Sequence, residues 1–77
     1  MNQHATHETN LKMLRVKFGN TQKDMSELLK LSRIQYAKKE RGKAKFSLDE
    51  AKVIANYFML PIEDIFFNDI LKKIEPM

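Results

Sequence analysis

Two helix starts lie close together near the middle of the chain. Thr21 is followed three residues later by Asp24, and Ser32 is followed three residues later by Gln35. In such capping boxes the Ser or Thr side chain accepts a hydrogen bond from an unpaired amide of the first turn, and the acidic or Gln side chain bonds back to the first amide. The spacing predicts one helix over residues 22–29 and a second from residue 33 to about residue 41.

Two helices joined by so short a turn form a helix-turn-helix, which can place its second helix in the major groove of DNA. Gly42 is the predicted stop of that second helix. At about 100° per residue, Tyr36 and Lys39 lie on one side, and the opposite face carries Arg33, Ile34, Ala37, Lys38 and Arg41. Cationic donors suit guanine O6 and N7, and small apolar groups suit the thymine methyl.

Charge is concentrated in the same region. Residues 33–45 carry six basic residues and one acidic residue, a net charge of +5, whereas residues 46–77 carry a net charge of −3. A basic middle beside an acidic end indicates a surface that meets a polyanion. On charge alone, a solvated lysine-rich face is an equally good interpretation, and the helix pair favours the first.

The remaining apolar residues recur at helical spacing, which predicts an all-α fold. A first helix begins near Thr9 or Asn10 and turns inward the stripe Leu11, Leu14 and Phe18. Ser47 and Glu50 form a third capping box, which starts a helix that runs to about Phe58, with inward residues Leu48, Ala51, Ile54, Ala55 and Phe58. Pro61 opens a fifth helix with Ile62, Ile65 and Phe66, and the tail has the spacing for a sixth.

The predicted architecture is therefore a compact bundle of five short helices, with a sixth left open at the C-terminus. We divide the chain into a flexible N-terminal tail at 1–8, a DNA-binding domain at 9–67 and a C-terminal extension at 68–77. The extension either forms a short helix or takes part in a dimer contact.

Several functional classes are disfavoured by composition. The chain has no cysteine, no long apolar run and no Gly-rich phosphate loop. His4 and His7 are one helical turn apart, but no third metal ligand lies near them, so a solvated tail is the better interpretation. We therefore expect no metal, no cofactor, no small-molecule ligand, no membrane contact and no enzymatic activity, in a soluble cytoplasmic protein.

A series of short motifs between Leu11 and Phe66 follows a recognisable order and spacing. The motifs are Leu11-x-x-Leu14-Arg15, Thr21-Gln22-x-x-Met25, Leu31-Ser32-Arg33, Glu40-Arg41-Gly42-Lys43, Ser47-Leu48-x-x-Ala51, Ile54-Ala55 and Ile62-Glu63-Asp64-Ile65-Phe66. Together they resemble the Cro and phage-repressor type of helix-turn-helix, also called the xenobiotic-response-element family. The resemblance implies a lambda-repressor-like fold of five helices, whose third helix reads the groove.

The resemblance also implies roles for individual positions. The residues that would face the bases are Arg33, Ile34, Ala37 and Lys38. The residues that would contact phosphates are Gln22, Gln35, Arg41, Lys43 and Lys45. Arg15 and Glu40 resemble a structural ion pair between helix one and the end of helix three, and two solvated side chains are the alternative.

Four positions depart from the family pattern. Asn20 replaces a common apolar residue, and Ser26 replaces a small apolar residue where the two helices approach each other. Lys30 stands where the turn usually has glycine, and a left-handed conformation there adds about 1–2 kcal/mol of strain. Lys39 faces the core where an apolar residue is usual, so we expect its stem to cover Tyr36 and its amine to reach solvent.

We predict a sequence-specific regulator of double-stranded DNA, most simply a small phage or bacterial repressor that binds a palindromic operator as a homodimer. The predicted dimer contact comprises Phe67, Ile70, Leu71 and Ile74, although these residues serve equally well to cap the bundle. An antitoxin that binds a toxin and represses its own promoter is the chief alternative. A protein-only adaptor bundle is the second.

Overall fold

The computed structural model describes the backbone of residues 6–67 and the side chains from Asn10 to Phe67. Within that range the chain folds into α1 (Thr6–Lys17), α2 (Gln22–Leu29), α3 (Arg33–Glu40), α4 (Leu48–Phe58) and α5 (Ile62–Phe66), and these residues form no strand. The prediction of an all-α bundle is confirmed. The sixth helix was predicted for residues that lie outside the described range. No helix among the described residues is long and apolar enough to cross a membrane.

All three predicted capping boxes form. At Thr21, Ser32 and Ser47, the hydroxyl accepts from the amide three residues later, and the side chain there accepts from the capping residue's amide. These pairs satisfy two of the amide hydrogens that each helix start leaves without an intrahelical acceptor. The starts of α2, α3 and α4 are therefore specified by local sequence.

The turn between α2 and α3 is tight and left-handed. Lys30 has φ 60° and ψ 41°, while the amide of Leu31 donates to the carbonyl of Ser26 at 2.8 Å. Met59 ends α4 in the same way, with φ 59° and a bond from the Leu60 amide to the Ala55 carbonyl at 3.0 Å. Both positions would suit glycine, which has no Cβ to clash in this conformation.

Side chains from all five helices build the core. Leu11 and Leu14 of α1 pack with Met25, Tyr36, Ile54, Ala55, Phe58 and Ile65, all of them at most 7% exposed. Ser26 is also buried, and its hydroxyl donates to the carbonyl of Lys23 at 2.7 Å. The small polar side chain is therefore satisfied locally where α2 approaches α3.

The prediction for α1 was wrong at its start and for the position of Phe18. The helix begins at Thr6 and not near Thr9 or Asn10, so a polar segment of sequence extends it before the first apolar residue of the stripe, Leu11. Phe18 lies beyond the last helical residue and is 55% exposed, with only an edge-on ring contact to Phe58 at 5.2 Å. Apolar spacing could not locate a polar first turn or a chain that leaves the helix before Phe18.

Leu48 was predicted to face inward, and this was wrong. It is the first residue of α4 and is 67% exposed. At about 100° per residue it lies about 70° from the middle of the buried face, which comprises Ala51, Ile54, Ala55 and Phe58. Because α4 begins at Leu48, no preceding turn of this helix covers the side chain.

Asn10 is a core residue that the sequence did not reveal. It is 1% exposed, and its Nδ2 donates to the carbonyls of Asp64 at 3.1 Å and Ile65 at 2.9 Å. The last carbonyls of a helix have no amide donor within that helix. Asn10 therefore supplies the hydrogen-bond donor for two carbonyls at the end of α5. This polar contact attaches α1 to α5 across the bundle.

Candidate nucleic-acid interface

The carboxylate of Glu40 joins α3 to the two helices before it. Arg15 Nε donates to Glu40 Oε2 at 2.7 Å, and Arg15 Nη2 donates to Oε1 at 3.3 Å. Gln22 Nε2 donates to Oε1 at 3.0 Å, and the Tyr36 hydroxyl donates to Oε2 at 2.8 Å. Glu40 is 3% exposed and Arg15 12%. The pair is therefore part of the folded interior and not two solvated side chains.

This network keeps a buried charge ionised. Burial by itself would raise the pKa of Glu40, but hydrogen bonds from Arg15, Gln22 and Tyr36 outweigh it and lower the pKa below its ordinary value. Burial and then the neighbouring carboxylate raise the pKa of Tyr36, so its hydroxyl remains a donor. Glu40 therefore fixes α3 from behind, despite the basic residues around it in sequence.

The four predicted base-reading residues lie on the face of α3 that points away from this network. Arg33, Ile34 and Lys38 are exposed, and Ala37 is partly exposed. Ile34 leaves 68% of its surface in solvent. Among the described residues, neither Arg33 nor Lys38 has a hydrogen-bond or ion-pair partner. This face can offer charged donors and methyl groups together.

Three predicted phosphate contacts follow α3 directly. Arg41, Lys43 and Lys45 are all exposed in the loop that leads to α4. The Lys43 amide donates to the carbonyl of Lys38 at 2.8 Å, and Gly42 adopts φ 80° between them. The loop is therefore folded back on the end of α3, with its cations directed into solvent.

The side chains of the two predicted glutamine contacts are both hydrogen-bonded within the protein. Gln22 bonds to Glu40, and Gln35 Oε1 accepts from the Ser32 amide at 3.0 Å as part of the capping box. The predicted phosphate contacts of both residues stay predictions. Each amide nitrogen still has a hydrogen to donate, because Gln22 uses one of two and the bond to Gln35 uses only the oxygen.

Lys39 does not behave as predicted. Its amine was expected to reach solvent past Tyr36, but Nζ lies 2.7 Å from Glu50 Oε1 and 6.0 Å from the centre of the Phe46 ring. The side chain is 18% exposed. The acidic partner comes from the first turn of α4, which a wheel of α3 alone could not reveal.

One exposed basic residue near these positions was not among the predicted contacts. A depression beside the start of α2 is lined by Lys12, Arg15, Gln22, Glu40, Arg41 and Lys43. Lys12 is exposed on α1, outside the helix pair in sequence. Its spacing of three residues from Arg15 would have placed both on one helix face, and this was the available signal.

An apolar groove lies on another part of the molecule, between the start of α4 and α5. It is lined by Lys45, Phe46, Ser47, Leu48, Ala51, Ile62, Phe66 and Phe67. Phe67, a predicted dimer residue, is 72% exposed here, and Leu48 is 67% exposed. The other predicted dimer residues, Ile70, Leu71 and Ile74, lie outside the described residues, as does His4.

The described side chains contain no group of three or more His, Cys, Asp and Glu residues that could hold a metal. What they present is a helix fixed from behind by a buried carboxylate, with an unpaired basic and apolar face and a basic loop at its end. These features define a helix-turn-helix DNA-binding domain.

The family model for the helix-turn-helix matches residues 11–65, more than half of the chain. The protein belongs to the Cro/C1-type helix-turn-helix family of DNA-binding transcriptional regulators. Comparison with curated protein sequences gave no match.

Proposed function

We propose that the protein is a transcriptional repressor of phage or bacterial origin, which acts in the cytoplasm by occupying operator DNA without chemistry. The exposed face of α3 carries this proposal. Arg33 and Lys38 are unpaired among the described residues, and Ile34 stays exposed between them. An exposed isoleucine costs hydrophobic free energy that burial against a thymine methyl would recover.

In this proposal, the cations around α3 hold the DNA backbone and carry no sequence preference of their own. Arg41, Lys43 and Lys45 follow the reading face, and Lys12 shares a depression with Arg41 and Lys43. With about five to eight phosphates contacted, the logarithm of the binding constant falls with the logarithm of salt concentration by about 0.9 per contact.

A single domain of this size makes few base contacts, so we propose a symmetric dimer on a palindromic operator. The half-sites then lie about 34–36 Å apart, one turn of DNA. The apolar groove supports a second copy as its occupant, because Phe67 lines it at the point where the chain continues to Ile70, Leu71 and Ile74.

The experiment for sequence-specific binding is selection of bound duplexes from a random DNA pool, followed by sequencing. We expect a palindrome whose half-sites are separated by one helical turn. Enrichment of a single half-site would contradict the dimer but retain DNA reading. If no duplex is retained even at low ionic strength, the repressor proposal is wrong and the adaptor alternative is favoured.

A separate experiment concerns the dimer. Light scattering at increasing concentration should give the mass of two chains for the wild type and of one chain for Leu71→Asp. Met59→Asp is the matched control, since Met59 is 87% exposed in the turn after α4 and does not line the groove. A monomeric wild type at all concentrations, on and off DNA, would show that the tail does not form a dimer contact.

A further inference from the structure

Lys39 and Glu50 form an ion pair that connects α3 to α4. Lys39 Nζ donates to Glu50 Oε1 at 2.7 Å, and both side chains are 18% exposed. The same oxygen accepts the Ser47 amide at 2.9 Å, which is the capping bond of α4. One carboxylate oxygen of Glu50 therefore accepts hydrogen bonds both from Lys39 of α3 and from Ser47, the residue before α4.

The ion pair lies at the base of the loop that carries the basic residues. That loop, residues 41–47, is held at its start by the bond from the Lys43 amide to the Lys38 carbonyl. At its end it is held by the capping box of Ser47 and Glu50. The ion pair of Lys39 with Glu50 connects the helix before the loop to the helix after it.

Phe46 strengthens this junction from inside the loop. Its ring lies 6.1 Å from the Tyr36 ring and 5.8 Å from the Phe66 ring, between centroids. Lys39 Nζ lies 6.0 Å from the Phe46 centroid, at the outer limit for attraction between a cation and a ring face. The amine of Lys39 is therefore placed by two partners from beyond α3.

We propose that Lys39 and Glu50 are positioning residues for DNA binding, which hold the loop cations Lys43 and Lys45 in register with the reading face of α3. The inference rests on the proposed DNA contacts of that loop. Neither residue of the pair touches DNA in this arrangement. The pair acts by restricting the loop, so that its cations reach the phosphates without a further loss of conformational freedom.

Removing the negative charge of Glu50 separates this effect from simple attraction. A polyanion binds a less acidic protein more tightly, so charge alone predicts stronger DNA binding by Glu50→Gln. Loss of positioning predicts weaker binding. Glutamine also forms a capping box at this position, so the start of α4 is retained in the variant.

The experiment measures the affinity of each variant for a random-sequence DNA duplex across a salt series. Asp49→Asn is the matched control, because Asp49 is exposed next to Glu50 and also lies in the first turn of α4. We expect Glu50→Gln to weaken binding about threefold, and Asp49→Asn to leave it unchanged or strengthen it. Lys39→Arg, which retains the ion pair, should bind as the wild type does.

A second measurement tests coupling to the loop. Lys43→Ala should cost less affinity in the Glu50→Gln background than in the wild type, because in a loosened loop Lys43 already makes a weaker phosphate contact. Equal costs in the two backgrounds, or equal affinities for Glu50→Gln and Asp49→Asn, would overturn the positioning role while DNA binding stands. If the wild type binds no duplex, the proposed function and this inference fail together.

Discussion

The two faces of α3 carry the same kinds of basic residue in opposite roles, exposed on one face and paired with carboxylates on the other. Lys38 and Lys39 are neighbours in sequence, yet Lys38 is exposed with no partner among the described residues, and Lys39 is paired with Glu50. The contrast extends to arginine. Arg15 is partly buried and paired with Glu40 behind α3, whereas Arg33 is exposed on the outer face with no partner among the described residues.

This difference shows how a basic domain can be stable and still attract a polyanion. The cations behind α3 are neutralised by carboxylates, so they contribute to the fold and little to the external field. The cations in front are left without counter-charges from the described protein, so they dominate the potential that DNA meets. Changes behind α3 should therefore alter stability first, and changes in front should alter binding alone.

The largest expected effect is at Glu40. Glu40→Ala leaves Arg15 without its carboxylate and removes the acceptor of Gln22 and Tyr36, so we expect unfolding free energy to fall by about 3–5 kcal/mol. Urea denaturation followed by circular dichroism measures this. Lys38→Ala, on the outer face, is the control and should stay within about 0.5 kcal/mol of the wild type. Equal losses in the two variants would remove the distinction between the faces.

The stability of the network should also depend on pH in one direction. The pKa of Glu40 is lowered in the folded protein, so its contribution is present above its ordinary pKa and is lost as the pH falls through the folded value. We expect the wild type to lose stability in acid, and Glu40→Gln to lose less over the same range. A parallel loss in both proteins would assign acid unfolding to other carboxylates.

The next effect in size concerns the reading face. Arg33→Ala should cost about 1–3 kcal/mol in binding at one base position of the selected site and relax the preference there. The folded state should be unaffected, since Arg33 has no partner within the described protein. Binding to a set of singly substituted duplexes measures this. A uniform loss across all of them would make Arg33 an anchoring residue.

A smaller effect is expected from the loop. Lys43→Ala should weaken all duplexes by a similar factor and reduce the salt slope by about one unit, because one phosphate contact is lost. Titrations at several salt concentrations give the slope directly. A changed base preference with an unchanged salt slope would show that Lys43 contacts bases and not a phosphate.

The smallest effect is expected at the turn between α2 and α3. Lys30→Gly removes the strain of a left-handed residue and should stabilise the fold by about 0.5–1 kcal/mol. Because the network around Glu40 holds α3 from behind, DNA affinity should not change. An altered affinity would show that the turn, and not that network, sets the pose of the recognition helix.

The sequence by itself determined the local features of this protein. The capping boxes at Thr21, Ser32 and Ser47 gave the helix starts, because their hydrogen bonds close within four residues. The period of α3 gave its exposed face, since the wheel needs only the geometry of one helix. Family resemblance added the pairing of Arg15 with Glu40, which no local pattern implies.

Only the tertiary structure decided which polar groups meet across the bundle. Lys39 pairs with Glu50, Asn10 donates to the carbonyls of α5, and Lys12 and Lys43 line the same depression. Side-chain partners of this kind depend on how the helices pack. Helical periodicity predicts which face of a helix is buried, but it does not predict which residues of other helices contact that face.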